Sequence, residues 1–494
     1  WIAGNSIGTN LRGNAALANL AGINGRGSTI DISGNLISGN TGSGIGVIGT
    51  NWTIRANRIG CDSSGATALP NGGGITVSSY STATTDSIFI GGNAAADGNL
   101  ISGNDESGVL IEGVGTSNVT LSQNCIGLAA SGSSALPNDG SGVWITDGAH
   151  HARVQFNLLS GNKQSGISLD GGTMSAPHDI IVRANRIGTD RTGTVALMNQ
   201  TGGIAINKSP SNLIGGTESG DGNLISGNAS YGISIFGKES AYNFIQGNLI
   251  GTDSGGAHLL LNGDNITATG ITAADASNLV IGGASPAAGN VIEGSMACIK
   301  CTGADSNLIA GNRLGSTGCA SYGLHLVSSN GNIISSNIVN RNATAGIRLA
   351  RCRNNAIFAN LIGVTETGAL VKGPDFAAVE MFRSPGNVIG GTLVGQGNTL
   401  GGSRQFGIVL NQSDSNLVAG NFIGTDASGI ARLGNGTSGI LVSNSLGNVI
   451  GGAGIENHIA FNKKSAIGVD GTGTTVVSAN AIYENGFGID LNTA

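Results

Sequence analysis

The stretch Gly222–Gly251 reads GNLISGNASYGISIFGKESAYNFIQGNLIG: it opens with Asn223-Leu224-Ile225 and closes with Asn248-Leu249-Ile250. Between these lie Gly232-Ile233-Ser234-Ile235 and Asn243-Phe244-Ile245. Each apolar run is short, alternates in steps of two and is bounded by Gly, Asn or Ser, which predicts strands and not helices. No run can bury two faces alone. Three short strands in every 25 residues or so, about one coil, must therefore stack turn upon turn, and the pattern predicts a solenoid.

Working outward, the Asn-x-(Ile/Leu/Val) triplet recurs at Asn5, Asn35, Asn57, Asn99, Asn124, Asn157, Asn185 and Asn223, and from Asn248 on to Asn480. That makes about 17 coils, and a stack of roughly 80 Å at about 4.8 Å per strand. Short and long coils alternate. Long coils carry two insertions: one after Ile-Gly-Thr-Asp, as at Gly188-Thr189-Asp190, the other after Ile-Gly-Gly, as at Ile214-Gly215-Gly216. Insertions at fixed points predict rows of loops. The recurrent Asn suits a corner that needs positive φ. Stacked Asn amides can also bond up the stack, as in cross-β ladders. The expected fold is thus all-β, one parallel solenoid over residues 1–494, its inward Ile, Leu and Val each contributing about 1.5–3 kcal/mol on burial.

Composition agrees. Of 494 residues 87 are Gly, 7 are Pro, and 11% are charged. Charge is scarce, but regularly placed apolar residues exclude disorder. A net charge of −6 argues against a general nucleic-acid binder. No window is apolar for long enough to make a transmembrane helix. The chain starts within a coil, since Trp1-Ile2-Ala3-Gly4-Asn5 matches Leu417-Val418-Ala419-Gly420-Asn421, and it reads as a piece of a longer or processed protein.

The repeated GNLISGN, the Gly-Ile-x-Ile strand and the Ile-Gly-Gly-x loops resemble right-handed parallel β-helix repeats of the pectin-lyase-like superfamily. They are most similar to repeat regions of large secreted bacterial surface proteins. The resemblance covers nearly the whole chain and implies the fold. It does not imply one activity, because this fold hosts lyases, hydrolases, adhesins and inert spacers.

Three sets of residues invite a functional reading. Asp62, Asp190, Asp253 and Asp426 recur too far apart to share a calcium ion, which wants 6–8 convergent oxygens; Asx-turns closing the loops are expected. Cys298-Ile299-Lys300-Cys301 has C-x-x-C spacing, but neither a thioredoxin-like unit nor a second close pair for zinc accompanies it. Most of the six cysteines, Cys61, Cys125, Cys298, Cys301, Cys319 and Cys352, read as small buried hydrophobes. A disulfide of Cys298 or Cys301 with Cys319 is compatible with export, and connectivity stays open.

The third set is the outward residue x of Gly-Ile-x-Ile. Along the chain it is mostly small, uncharged or apolar, with Trp144 a lone outward aromatic, until four consecutive coils supply Lys300, His325, Arg348 and Glu380. Arg351, Arg353 and Arg383 lie nearby in sequence. The insertion due after Asn312 is missing, which would open a groove over this patch. Like charges on facing strands repel, and an anionic ligand would relieve them. The family resemblance implies that substrate can lie along an outer strand face, where Lys or Arg serves as base and neutralises a uronate. An ordinary solvated face, with Glu380 paired to Arg348 or Arg383, is the bland alternative. Inverting glycosidases need two carboxyls about 6.5–9.5 Å apart, and no such pair stands out. His150-His151 and His178-Asp179 are expected on the surface.

Together these readings favour an extracellular structural or adhesive β-helix of a bacterial surface protein, contacting a polysaccharide and open to end-to-end self-association. No cofactor, metal or nucleic-acid partner is expected. The alternative is a polysaccharide lyase acting on an acidic glycan at Lys300, His325 and Arg348.

Overall fold

The computed structural model describes residues 1–79, 83–172, 175–264, 266–294, 296–317, 321–471 and 473–492. The chain divides into two compact units, Trp1–Asp264 and Asn265–Ala494. Each is a stack of three-strand coils, and the two-residue strand that marks a coil occurs nine times in the first unit, from Ser6–Ile7 to Leu249–Ile250. In the second unit its counterpart occurs eight times among the described residues, from Val291–Ile292 to Ala481–Tyr483.

One coil shows the plan. Leu224–Ile225 is followed by Tyr231–Phe236 and Phe244–Gln246, and the next coil begins at Leu249–Ile250. Every strand pairs in parallel with its counterpart one coil away: Leu224 with Leu249, Ile204 with Ile233, Ile214 with Ile245. The period-2 alternation decides what is buried. Ile225, Ile233, Ile235, Ile245 and Ile250 are fully buried, and Ser234 between them faces out. Ile stacks on Ile up the interior because neighbouring coils carry the same residue at the same register.

Asparagine does more than the sequence reading assigned to it. In the first unit Nδ2 of Asn35, Asn57, Asn99, Asn124, Asn157, Asn185 and Asn223 each donates to Oδ1 of the next Asn in the series at 2.9–3.1 Å. This is the expected amide ladder. The left-handed corner, however, falls on the residue before the Asn where no insertion precedes it: Ala56 has φ 54°, Gln123 65° and Phe156 57°, whereas Gly98, after an insertion, has φ −62°. Asn serves as the bonding group and, in coils without that insertion, its predecessor makes the turn.

Two more ladders were not foreseen. Asn40, Asn71, Asn104, Asn138, Asn162, Asn199, Asn228 and Asn262 form one, with links of 2.8–3.1 Å. Its members alternate between the Asn of Ser-Gly-Asn in a short coil and the Asn that ends an insertion in a long coil. The inserted loop thus leaves the stack and returns to supply the same rung. In the second unit Asn307, Asn332, Asn355, Asn387, Asn416 and Asn448 form another, with links of 2.9–3.2 Å.

The Ile-Gly-Gly motif has a steric cause. Gly91 and Gly215 adopt φ 94° and 91°, and a Cβ on either would sit 1.8 Å from a carbonyl oxygen of the next coil. Only glycine fits there.

Candidate functional site

Outward residues of the long strands lie side by side in the second unit. Lys300 pairs in register with His325, His325 with Arg348, and Arg348 with Glu380. Tyr322 joins them, a residue the sequence reading passed over. Its ring centroid is 4.5 Å from that of His325, and its hydroxyl accepts a hydrogen bond from Nη1 of Arg348 at 2.5 Å. The Arg348 guanidinium also stands 5.3 Å from the Tyr322 ring centroid.

The row is not a stack of cations. Burial, helped by the Arg348 and Lys300 charges, pushes the His325 pKa down to about 4, so the imidazole is neutral at neutral pH. Burial raises the Glu380 pKa, and Arg348 pulls against that shift. Nε of Arg348 lies 3.7 Å from Oε2 of Glu380, an ion-pair separation too long for a hydrogen bond. Nδ1 of His325, Nε of Arg348 and Oε2 of Glu380 are accordingly buried without hydrogen-bond partners among the described residues. Lys300 and Arg348 remain as two cations against one carboxylate.

Arg351, Arg353 and Arg383 do not extend this row. They lie on the exposed corner that follows the strand, Arg351 and Arg383 in left-handed conformation at φ 58° and 50°. Nε of Arg383 donates to Gln412 Oε1 at 2.8 Å. The missing insertion after Asn312 also opens elsewhere than expected. The cavity of about 290 Å³ there is lined by Arg313, Ile338, Arg341 and Glu366, over the short strands, with Arg313 ion-paired to Glu366. Insertions that follow the short strand wall that strand, so their loss uncovers it first.

In the first unit the same long-strand face has the opposite character. Thr76, Leu110, Trp144 and Ser168 floor a cavity of about 440 Å³ rimmed by Asp105, Glu106 and Asp139. Trp144 is 37% exposed. A larger cavity, about 640 Å³, runs over the short strands of this unit and includes Arg58, Arg186 and Arg191.

Other sequence candidates resolve into structure. Oδ1 of Asp190 accepts hydrogen bonds from the backbone N–H of Gly193, Thr194 and Val195, and both carboxylate oxygens accept from Thr192 Oγ1. Burial pushes this carboxyl up, but the hydrogen bonds outweigh it and hold the pKa below the usual value. These are the expected Asx-type closures. Cys61, Cys301 and Cys352 are buried free thiols, while Cys298 is held in a disulfide. Cys319 lies outside the described residues. His150 and His178, on neighbouring coils, stack at 5.2 Å with His151 edge-on, and Nδ1 of His178 is 2.7 Å from Asp179.

Residues 2–187 match the family model described as right handed beta helix region. The chain is a right-handed β-helix. Residues 261–450 of this β-helix match a second model, periplasmic copper-binding protein (NosD). Among curated proteins none matches. Similar solved structures include the periplasmic alginate epimerase AlgG, at 12% identity and TM-score 0.37, covering 78% of this chain and 76% of that one. The Dettilon tailspike protein follows, at 15% identity and TM-score 0.36, with 87% and 60% covered. A third is the Azotobacter vinelandii mannuronan C-5 epimerase A-module, at 12% and 0.23, with 80% and 87% covered. Likeness at this level carries no inference about activity.

The copper in the second family's description finds no donor set among the described residues. A copper site gathers soft thiolate, thioether or imidazole ligands. Among the described residues no three His, Cys, Asp or Glu gather to hold a metal. Cys301 and Cys352, the free thiols among the described residues of that stretch, are buried, and burial pushes the Cys301 pKa up to about 12. Among the described residues no helix is long and apolar enough to cross a membrane.

Proposed function

We propose that this β-helix is a structural and adhesive scaffold of a secreted or surface-exposed bacterial protein, and that it contacts an acidic glycan through the row Lys300, His325, Arg348 and Glu380. The observation that supports this reading is the in-register row, which holds one cation more than it neutralises. Lys300 has no ion-pair partner among the described residues. A carboxylate laid across the strand would pair with it. The Cys298 disulfide fits an oxidising compartment.

Binding leads over catalysis for a physical reason. A lyase that used His325 as its base, with Lys300 and Arg348 neutralising the uronate carboxyl, is the version the geometry disfavours. An imidazole with a pKa of about 4 is unprotonated but weakly basic, far from the match to neutral pH that general-base catalysis favours. The test is to titrate a uronate polymer into the full chain while following ultraviolet absorbance for unsaturated product. We expect salt-sensitive binding that weakens in Arg348→Gln, without new absorbance. Growth of absorbance would replace the scaffold by the lyase. Absence of binding would remove the glycan contact.

A further inference from the structure

The larger of the two first-unit cavities described above lies on a face that the proposed function does not use. It runs over the short strands, whose outward residues lie in register: Arg58 beside Leu100, Leu100 beside Cys125, Cys125 beside Leu158, Leu158 beside Arg186. Both insertion rows border it, with Ser63 and Ala130 on one side and Ala95 and Ala96 on the other. The floor is therefore a ladder of apolar rungs with an arginine at two levels, and Arg191 reaches in from a loop.

Charge sets this channel apart. The chain has 29 acidic against 23 basic residues, yet the cavity lining contains three arginines and no aspartate or glutamate. Nearby carboxylates are spent elsewhere. Asp62 and Asp190 close their own loops, Asp97 faces Arg55 at 3.8 Å, and Asp221 faces Arg183 at 3.2 Å. Arg58, Arg186 and Arg191 have no ion pair and no side-chain hydrogen bond among the described residues. Arg191 is braced over Gly132, where an added Cβ would come within 3.0 Å of Nε.

We infer that this channel is a second binding site, for a strand of acidic polysaccharide lying along the stack across the short strands. Arg58 and Arg186 are four strand steps apart, about 19 Å. Three cations over that length suit a polymer with sparse carboxylates. Duplex DNA presents a charge every 1.7 Å or so, about 11 over the same span, which three arginines cannot match. Single-stranded nucleic acid needs several stacking platforms, and Phe156, 49% exposed, is the one aromatic among the described lining. Half-buried Leu36 offers surface to the C–H face of a sugar ring, while Leu100 and Leu158 are buried beneath the channel. Cys125 is part of this floor and not a nucleophile, since burial pushes its pKa up to about 11 against the pull of Arg191.

The experiment is hydrogen exchange on the full chain with and without a galacturonate oligomer of uniform length, with affinities read by titration. In the wild type we expect new protection over residues 95–101, 123–130 and 184–191. A triple variant, Arg58→Gln with Arg186→Gln and Arg191→Gln, should lose that protection and bind about tenfold more weakly at this site. Arg348→Gln should keep it, which separates this site from the row in the second unit. Ala130→Glu puts a carboxylate on the exposed wall and should weaken the same protection at an unchanged melting temperature. The inference is overturned if those segments gain no protection, if protection survives the triple variant, or if a single-stranded oligonucleotide of equal length binds more tightly than the galacturonate.

Discussion

His325 shows how much one residue depends on neighbours that no single repeat contains. Its outward direction was legible, because strand side chains alternate and the register places it between Lys300 and Arg348. Its neutrality was not, because that comes from burial beside Tyr322 and from the two flanking cations. The folded pKa of about 4 lies below the ordinary value of 6.5. The unfolded state therefore binds the extra proton, and the stability held by neutral His325 is complete above the ordinary value and is lost as pH falls toward 4. Glu380, with its pKa raised, acts with the opposite sign and weakens the fold as pH rises through its own range. Nuclear magnetic resonance titration of His325 should show an imidazole neutral at pH 5. Arg348→Gln should move its midpoint upward yet leave it below the ordinary value, since burial is the larger cause.

Asn124 is a second case at this scale. It accepts from the backbone N–H and Nδ2 of Asn99, and donates to Asn157 and to the Ile90 carbonyl. Replacing it by Leu leaves partners on both neighbouring coils unpaired, and the expected loss is about 3 kcal/mol in denaturant unfolding. Asn10, on an exposed loop and bonded to Asn14, should tolerate the same change at little loss.

The loops divide what could be read from what could not at the level of the element. Their positions followed from spacing alone, since Ile-Gly-Thr-Asp and Ile-Gly-Gly recur at fixed points. The channel they enclose did not, because outward residues were read only from Gly-Ile-x-Ile. The same alternation applied to Asn-x-Ile gives Arg58, Leu100, Cys125, Leu158 and Arg186 directly. The second Asn ladder escaped because half of its rungs arrive from insertions of unequal length, which hides the period.

The Asp-closed insertion loops also carry a pH dependence. In Asp190 burial raises the carboxyl pKa but hydrogen bonds from Thr192 and the loop backbone lower it further, and Asp62 follows the same balance. In Asp426 the Ser428 hydroxyl is the largest cause of a lowered pKa. A depressed carboxyl stabilises its loop above the ordinary carboxylate range and loses that contribution as pH falls through the lowered value. On acidification, exchange protection of Val195 N–H should fall before that of core strands such as Tyr231–Phe236, and Asp190→Ala should produce the same loss at neutral pH.

At the scale of the whole molecule, stability in each unit is a sum over neighbouring coils and not the property of one shared centre. Ile347 is fully buried and packs in register with Leu324 and Val379 on adjacent coils. Ile347→Ala should lower the stability of the second unit by about 3 kcal/mol. Hydrogen exchange around Asn124 should stay unchanged in that variant, because sites without shared partners act independently.

Because an asparagine rung donates its amide N–H to the following coil and accepts at Oδ1 from the preceding one, each coil meets its neighbour through the same handshake. A segment spanning whole repeats can then be cut out and the seam heals: deleting residues 124–184 would bring Asn99 onto Asn185 with its amide still matched. Length in such a protein is a free variable, adjustable by recombination between repeats without new chemistry at the joint. Circular dichroism and a cooperative melt of that shortened chain would show whether the joint closes.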